Sequence, residues 1–218
     1  MYRLTAKQEL NILNLLTTSK EVGIIGAGAS RVVFSLPNKD LVVKLAAGFG
    51  GWNQNNREAE LYEEYGDSCP LAKIYARGTF IILMESVDPI SELYRNECQD
   101  SDDIYEGFSE DYGIDQSEAY EVASTIVPLE ELNGCTSDNF QLGRNKFGNL
   151  VAYDYGFISG YGCSDQCSGG IADEICGNDD FFEYYIDKCK EVISNKLTDS
   201  ENMRDFDNAM YKTINEKY

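Results

Sequence analysis

A glycine-rich turn set between two apolar, β-branched runs constrains this chain more than any other stretch. Gly26-Ala27-Gly28-Ala29-Ser30 leads into Arg31-Val32-Val33-Phe34, and Val42-Val43-Lys44-Leu45 follows. The pattern reads as a hairpin and a third strand, with Pro37-Asn38-Lys39-Asp40 turning between the last two. With no side chain at Gly26 or Gly28, backbone N–H groups of the loop can approach a phosphate, and a lysine closing the next strand supplies a counter-charge. Read alone, the same residues also describe an ordinary turn and a lysine facing water at a sheet edge.

The remaining elements follow from periodicity and punctuation. Thr5-Ala-Lys-Gln8 fits a capping box, and Leu10, Leu13 and Leu16 recur at helical spacing, so residues 5–19 predict a helix packed outside the sheet. Gly48, Gly50 and Gly51 predict a link, and the run Asn53 to Tyr65 a helix carrying Glu58, Leu61 and Tyr62, ended by Cys69-Pro70. Two strands follow, Leu71 to Arg77 and Thr79 to Glu85, turning at Gly78. The character changes around Ser86 to Pro89, the expected boundary between lobes. Glu97 to Asp115 is acidic and reads as a solvated loop, and Asp115 to Val127 as a helix closed by Pro128. Asn139 to Asp154 predicts a hairpin turning at Asn145-Lys-Phe-Gly148. Residues 157–180 read as an irregular loop. Two helices end the reading, Asn178 to about Leu197 and one capped by Thr198-Asp-Ser-Glu201.

Composition narrows the chemistry. The formal net charge of −20 argues against nucleic acid or an anionic membrane as partner, because both need Lys and Arg. It fits a solvated surface or a basic protein partner. No apolar run approaches the roughly 20 residues of a membrane span, and the N-terminus lacks a signal-peptide pattern. Seven cysteines without a secreted framework suit reduced thiols, and the expected location is cytoplasmic. The absence of histidine removes Ser-His-Asp triads and every His-containing zinc site. Cys163, Cys167, Cys176 and Cys189 offer four thiolates to a metal, but no Cys-x-x-Cys pair, so scattered thiols are the competing reading.

The order of glycine hairpin, lysine strand, glutamate-bearing helix, two strands, boundary, helices and a hairpin ending in Asp154-Tyr155-Gly156 resembles the protein-kinase fold over residues 21–157. It looks most like the small divergent kinase-like proteins of bacteria and their viruses. The resemblance implies an α+β, two-lobed protein-kinase-like fold. A helix (1–20) would precede an N-lobe of antiparallel sheet plus helix (21–87), and a short, mainly helical C-lobe would follow (88–218). It further implies ATP and Mg²⁺ as cofactors. Gly26, Gly28, Ala29 and Ser30 would cover the phosphates, with Arg31 where the family has a third glycine. Lys44 would contact the α- and β-phosphates and pair with Glu58, with Glu60 in reserve. Met84 would back the adenine pocket, and the backbone of Glu85 and Val87 would bond the adenine edge. Asn139 and Asp154 would hold the metal.

Two departures bear on activity. Counting back from Asn139 by the family's interval lands on Gly134, where the catalytic aspartate would stand, in Leu132-Asn133-Gly134. Asp138 is the nearby substitute base, with a loop carboxylate or helix cap as its competing reading, and Glu130 and Glu131 lie close in sequence. After Gly156 little chain remains, and Ala172-Asp173-Glu174 is a degenerate remnant of the family's Ala-Pro-Glu. The expected function is therefore an ATP- and Mg²⁺-binding protein-kinase-like protein, with one reading a divergent phosphotransferase acting on protein Ser/Thr and transfer itself left open. The alternatives are a pseudokinase whose acidic surface engages a basic protein, and a structural component of a larger assembly.

Overall fold

Thr5 opens the first helix, α1 (Ala6–Thr18), through a complete capping box. Its side chain accepts from the Gln8 N–H at 3.4 Å, and Gln8 Oε1 accepts from the Thr5 N–H at 3.0 Å. The computed structural model describes residues 1–37, 40–89, 117, 141–155 and 170–218. These form a mixed α+β protein in two compact units. One comprises Met1–Asn56, Ile74–Met84 and Tyr161–Tyr218, the other Arg57–Lys73 and Glu85–Gly160.

The first unit is built on a six-stranded sheet. After β1 (Tyr2–Arg3) and α1 come β2 (Gly23–Ala27), β3 (Arg31–Ser35) and β4 (Leu41–Ala46), then α2 (Gly48–Tyr65), β5 (Ile74–Arg77) and β6 (Ile81–Glu85). The spatial order is β1-β5-β6-β4-β3-β2. The expected glycine hairpin is β2–β3, antiparallel with a bulge between Ile24 and Gly26, and β4 lies inside the sheet between β3 and β6. Alternation along β3 sends Val32 and Phe34 inward, whereas β4 is buried from Val42 through Ala46, as befits a strand covered on both faces.

Helix α2 starts earlier than its residue types suggest. Gly48, Gly50 and Gly51 belong to the helix rather than to a link. Close approach explains them: a Cβ on Gly51 would lie 2.0 Å from the Ser30 carbonyl oxygen, and Gly48 adopts φ +79°.

The C-terminal helices α3 (Gly170–Gly177), α4 (Asp179–Asn195) and α5 (Ser200–Lys217) complete the core of the first unit. This corrects two expectations. Residues 170–177 are helical instead of loop, and the helices beyond 170 group with the sheet instead of forming a lobe with the rest of 88–218. Aromatic packing is the physical reason. Phe34 of β3 stacks on Phe182 of α4 at 5.5 Å, and Phe80 meets Phe206 of α5 at 5.2 Å. Leu13 and Leu16 of α1 join this same core. Each buried side chain of this kind stabilises the fold by about 1.5–3 kcal/mol. Asn178 caps α4 as anticipated, while α5 takes Asp199, not Thr198, as its cap.

The second unit holds the three-stranded sheet β7 (Val87–Pro89), β8 (Gln141–Asn145) and β9 (Leu150–Tyr153). The expected hairpin is present, with Gly148 at φ +80° in its turn. Ala152 of β9 exchanges backbone bonds with the segment before β5: the Ala72 N–H donates to Ala152 O and the Ala152 N–H to Pro70 O, both at 2.7 Å. The acidic stretch 97–115 and most of the helix expected over 115–127 lie outside the described residues.

Candidate functional site

In the first unit the glycine turn, Lys44 and the start of α2 are tied together by hydrogen bonds. The Gly28 N–H donates to Arg31 O at 2.9 Å and closes the hairpin, so that N–H is already engaged within the loop. Ala29 lies exposed at its tip. Ser30 is buried, its hydroxyl donating to Gln54 Oε1 at 2.9 Å and its carbonyl accepting the Ala47 N–H at 2.7 Å. Arg31, at the position of a third glycine, is buried and reaches Asn55 Oδ1 at 3.5 Å.

Lys44 stands opposite Val33 in the β3–β4 ladder and is only 4% exposed. Lysine is seldom buried to that degree without a charged or hydrogen-bonding counterpart. Its carbonyl accepts Asn55 Nδ2 at 3.4 Å, and the same amide donates to Phe80 O at 3.0 Å. One buried asparagine thus fastens α2 to β4 and to the residue before β6. Met84, on β6 opposite Ile74, is buried.

The second unit carries the other set. Glu58 is fully buried one helical turn beyond Asn55 on α2, whereas the reserve candidate Glu60 is exposed and pairs with Arg57 at 4.0 Å. Glu85 is bound to Lys73 twice: its N–H donates to Lys73 O at 2.9 Å, and its carboxylate accepts the Lys73 N–H at 2.7 Å. Its backbone N–H is therefore engaged within the fold and is not the free donor expected for an adenine edge. Val87 faces Asn145 across β7–β8. Asp154, directly after β9, has φ +61°, in the left-handed region. Tyr155 beside it is buried and donates from its hydroxyl to Ala72 O at 3.0 Å, anchoring the turn.

Asp138, Asn139 and Gly134 lie outside the described residues, as do Cys163 and Cys167. Cys176 is exposed and Cys189 buried, both free, and among the described residues no cluster of three or more Cys, Asp or Glu side chains forms a metal site. Asp154 offers one hard oxygen of the kind Mg²⁺ takes, with phosphate oxygens and Asn139 needed to extend the set. Among the described residues no helix is long and apolar enough to cross a membrane.

Residue patterning did not announce the hydrogen-bonding roles of Asn55, Tyr185 or Asp207. Tyr185 and Asp207, from α4 and α5, hold the first turn of α2: the Gly48 N–H donates to Tyr185 Oη and the Phe49 N–H to Asp207 Oδ1, both at 2.9 Å. The available signal was a helix start of three glycines with no capping side chain of its own, which leaves N–H groups to be satisfied from elsewhere.

No protein-family model and no curated protein matches the sequence. Among solved structures, one described as the gentamicin-APH(2")-IIa complex aligns with 100% of this chain and 98% of that one, at 13% identity and a TM-score of 0.33. A likeness of that size carries no argument about fold or activity.

Proposed function

We propose that this chain is a kinase-like, ATP- and Mg²⁺-binding domain. The observation that carries the reading is Lys44, buried in an interior strand beside the glycine hairpin and held through its own carbonyl by Asn55. A lysine so placed is a fixed cation of the type that phosphate recognition uses. Glu58 supports it as a fully buried carboxylate on the helix that Asn55 fastens, and Asp154 as a carboxylate on a left-handed turn anchored by Tyr155. Mg²⁺ would supply charge neutralisation at the phosphates. Phosphoryl transfer to a protein Ser/Thr hydroxyl then depends chiefly on positioning and electrostatics, which tolerates a weak base.

Gly134 favours a second reading, a pseudokinase that binds nucleotide and a basic protein without transfer. Thermal shift with Mg²⁺-ATP tests the first part: wild type is stabilised, and Lys44→Met and Asp154→Asn each lose most of the shift. An unchanged shift in both variants overturns the site. Transfer of labelled γ-phosphate to a basic protein separates the two readings: transfer supports the enzyme, and binding without transfer supports the pseudokinase.

A further inference from the structure

Ser30 ends the glycine turn and is the point at which that turn meets helix α2. It is buried, whereas Gly28 and Ala29 before it are exposed. Its hydroxyl donates to Gln54 Oε1 at 2.9 Å, and its carbonyl accepts the Ala47 N–H at 2.7 Å. The helix also lies directly against it. A Cβ on Gly51 would stand 2.0 Å from the Ser30 carbonyl oxygen, and one on Gly50 would stand 3.6 Å from the Ser30 Cβ.

Helical spacing sets Gly51, Gln54 and Asn55 on one stripe of α2. Gly51 gives Ser30 room, Gln54 takes its hydroxyl, and Asn55 donates to the carbonyl of Lys44 at 3.4 Å. Two consecutive helix residues therefore hold the loop and the lysine strand. Tyr185 and Asp207 fix the first turn of the same helix through the N–H groups of Gly48 and Phe49. All of these residues belong to the first unit.

A turn with glycine at 26 and 28 has backbone freedom that must be given up when it closes over a ligand, because glycine takes φ of either sign. Fixing the turn beforehand removes that cost from binding. We propose, on the nucleotide reading of this hairpin, that Gln54 is a positioning residue: through Ser30 it fixes the loop over the phosphates at the spacing Lys44 requires. Its contribution is preorganisation of the loop, and so it is felt by the part of the ligand the loop covers, the phosphates and not the base.

The test titrates the full chain with MgATP and with adenosine, read by calorimetry. Gln54→Ala keeps a good helix former at a half-buried position and removes the acceptor. It should raise the Kd for MgATP about tenfold, the size of one hydrogen bond, and leave that for adenosine unchanged. Ser30→Ala should do the same, and the double variant should bind no more weakly than either single one, because both remove a single bond. Unchanged MgATP affinity in Gln54→Ala, an equal loss for adenosine, or additive losses in the double variant each overturn the positioning role. Lys44→Met separates that failure from failure of the site. MgATP binding that Lys44→Met abolishes and Gln54→Ala leaves intact removes only the role of Gln54. No MgATP binding by wild type, or binding indifferent to Lys44→Met, removes the nucleotide reading with it.

Discussion

The hydroxyl of Tyr185 donates to the carbonyl oxygen of Ala46 at 2.7 Å while accepting the N–H of Gly48 at 2.9 Å. A single side chain from α4 therefore bridges the last residue of β4 and the first of α2. Burial holds its phenol well above the usual tyrosine range, so it remains the neutral donor that this bridge requires.

Tyr185→Phe removes the bridge and leaves a buried carbonyl and a buried N–H without it, a cost of about 1–3 kcal/mol for each unsatisfied group. Denaturant unfolding should show that loss, and amide exchange should quicken at Gly48. An unchanged unfolding midpoint would show that the bridge contributes nothing.

Gly51→Ala tests the close approach of α2 to Ser30. Its Cβ would sit 2.0 Å from the Ser30 carbonyl oxygen and 2.9 Å from the Ala46 Cα, both backbone atoms with little room to move. Overpacking of this kind costs about 1–3 kcal/mol or more. Gly28→Ala, with nothing within 4 Å of the added carbon, is the control. The expected order of stability is wild type and Gly28→Ala together, then Gly51→Ala.

Much of the first unit is legible in its residues, because strand alternation and capping are local signals. Thr5 with Gln8 and Asn178 act where sequence places them, and so, in the second unit, does the turn at Gly148. Gly48 and Gly51 misled because glycine's low helix propensity is overridden by tertiary needs, the closeness of Gly51 to Ser30 and the left-handed backbone of Gly48 beside Asp207. Helix α3 was hidden in a stretch rich in Gly, Ser, Cys and Asp, although Ile171, Ala172 and Ile175 mark its buried face. For the candidate site, residue types and order pointed to Lys44, Glu58 and Asp154, whereas the role of Asn55 depends on two carbonyls from distant strands and is invisible to spacing.

Asp207 sets a pH dependence. Burial raises its carboxyl above the ordinary 3.8, with the Phe49 N–H pulling the other way. A carboxyl raised in the folded state contributes stability that is fully present below its unfolded value and is lost as pH rises through the folded value. Asp207→Asn keeps an oxygen for the Phe49 N–H and cannot ionise. Relative to that variant, wild type should match it best near pH 3.5 and fall behind toward pH 7, as read by unfolding free energies across that range. A wild type that gains on the variant as pH rises would contradict this sign.

Glu9 provides a sharper test of the β5–β6 turn. Its carboxylate takes two N–H groups of that turn, and a Cβ on Gly78 would collide with it at 2.4 Å. Glu9→Ala orphans both donors, at about 1–3 kcal/mol each, and Glu9→Gln should recover part of the loss through its one oxygen. Equal stability of the two variants would place the effect in packing instead.

The aromatic pairs Phe34–Phe182 and Phe80–Phe206 also have a temporal side. On the ribosome, β3 emerges long before α4 and α5 are translated, so the sheet waits with its apolar face uncovered until both helices have emerged. Long-range closure of this kind is slow and leaves nascent chains prone to aggregation. Stalling translation between Gly156 and Asp179 should therefore yield chains that stay bound to chaperones, and release should follow only after α5 clears the exit tunnel.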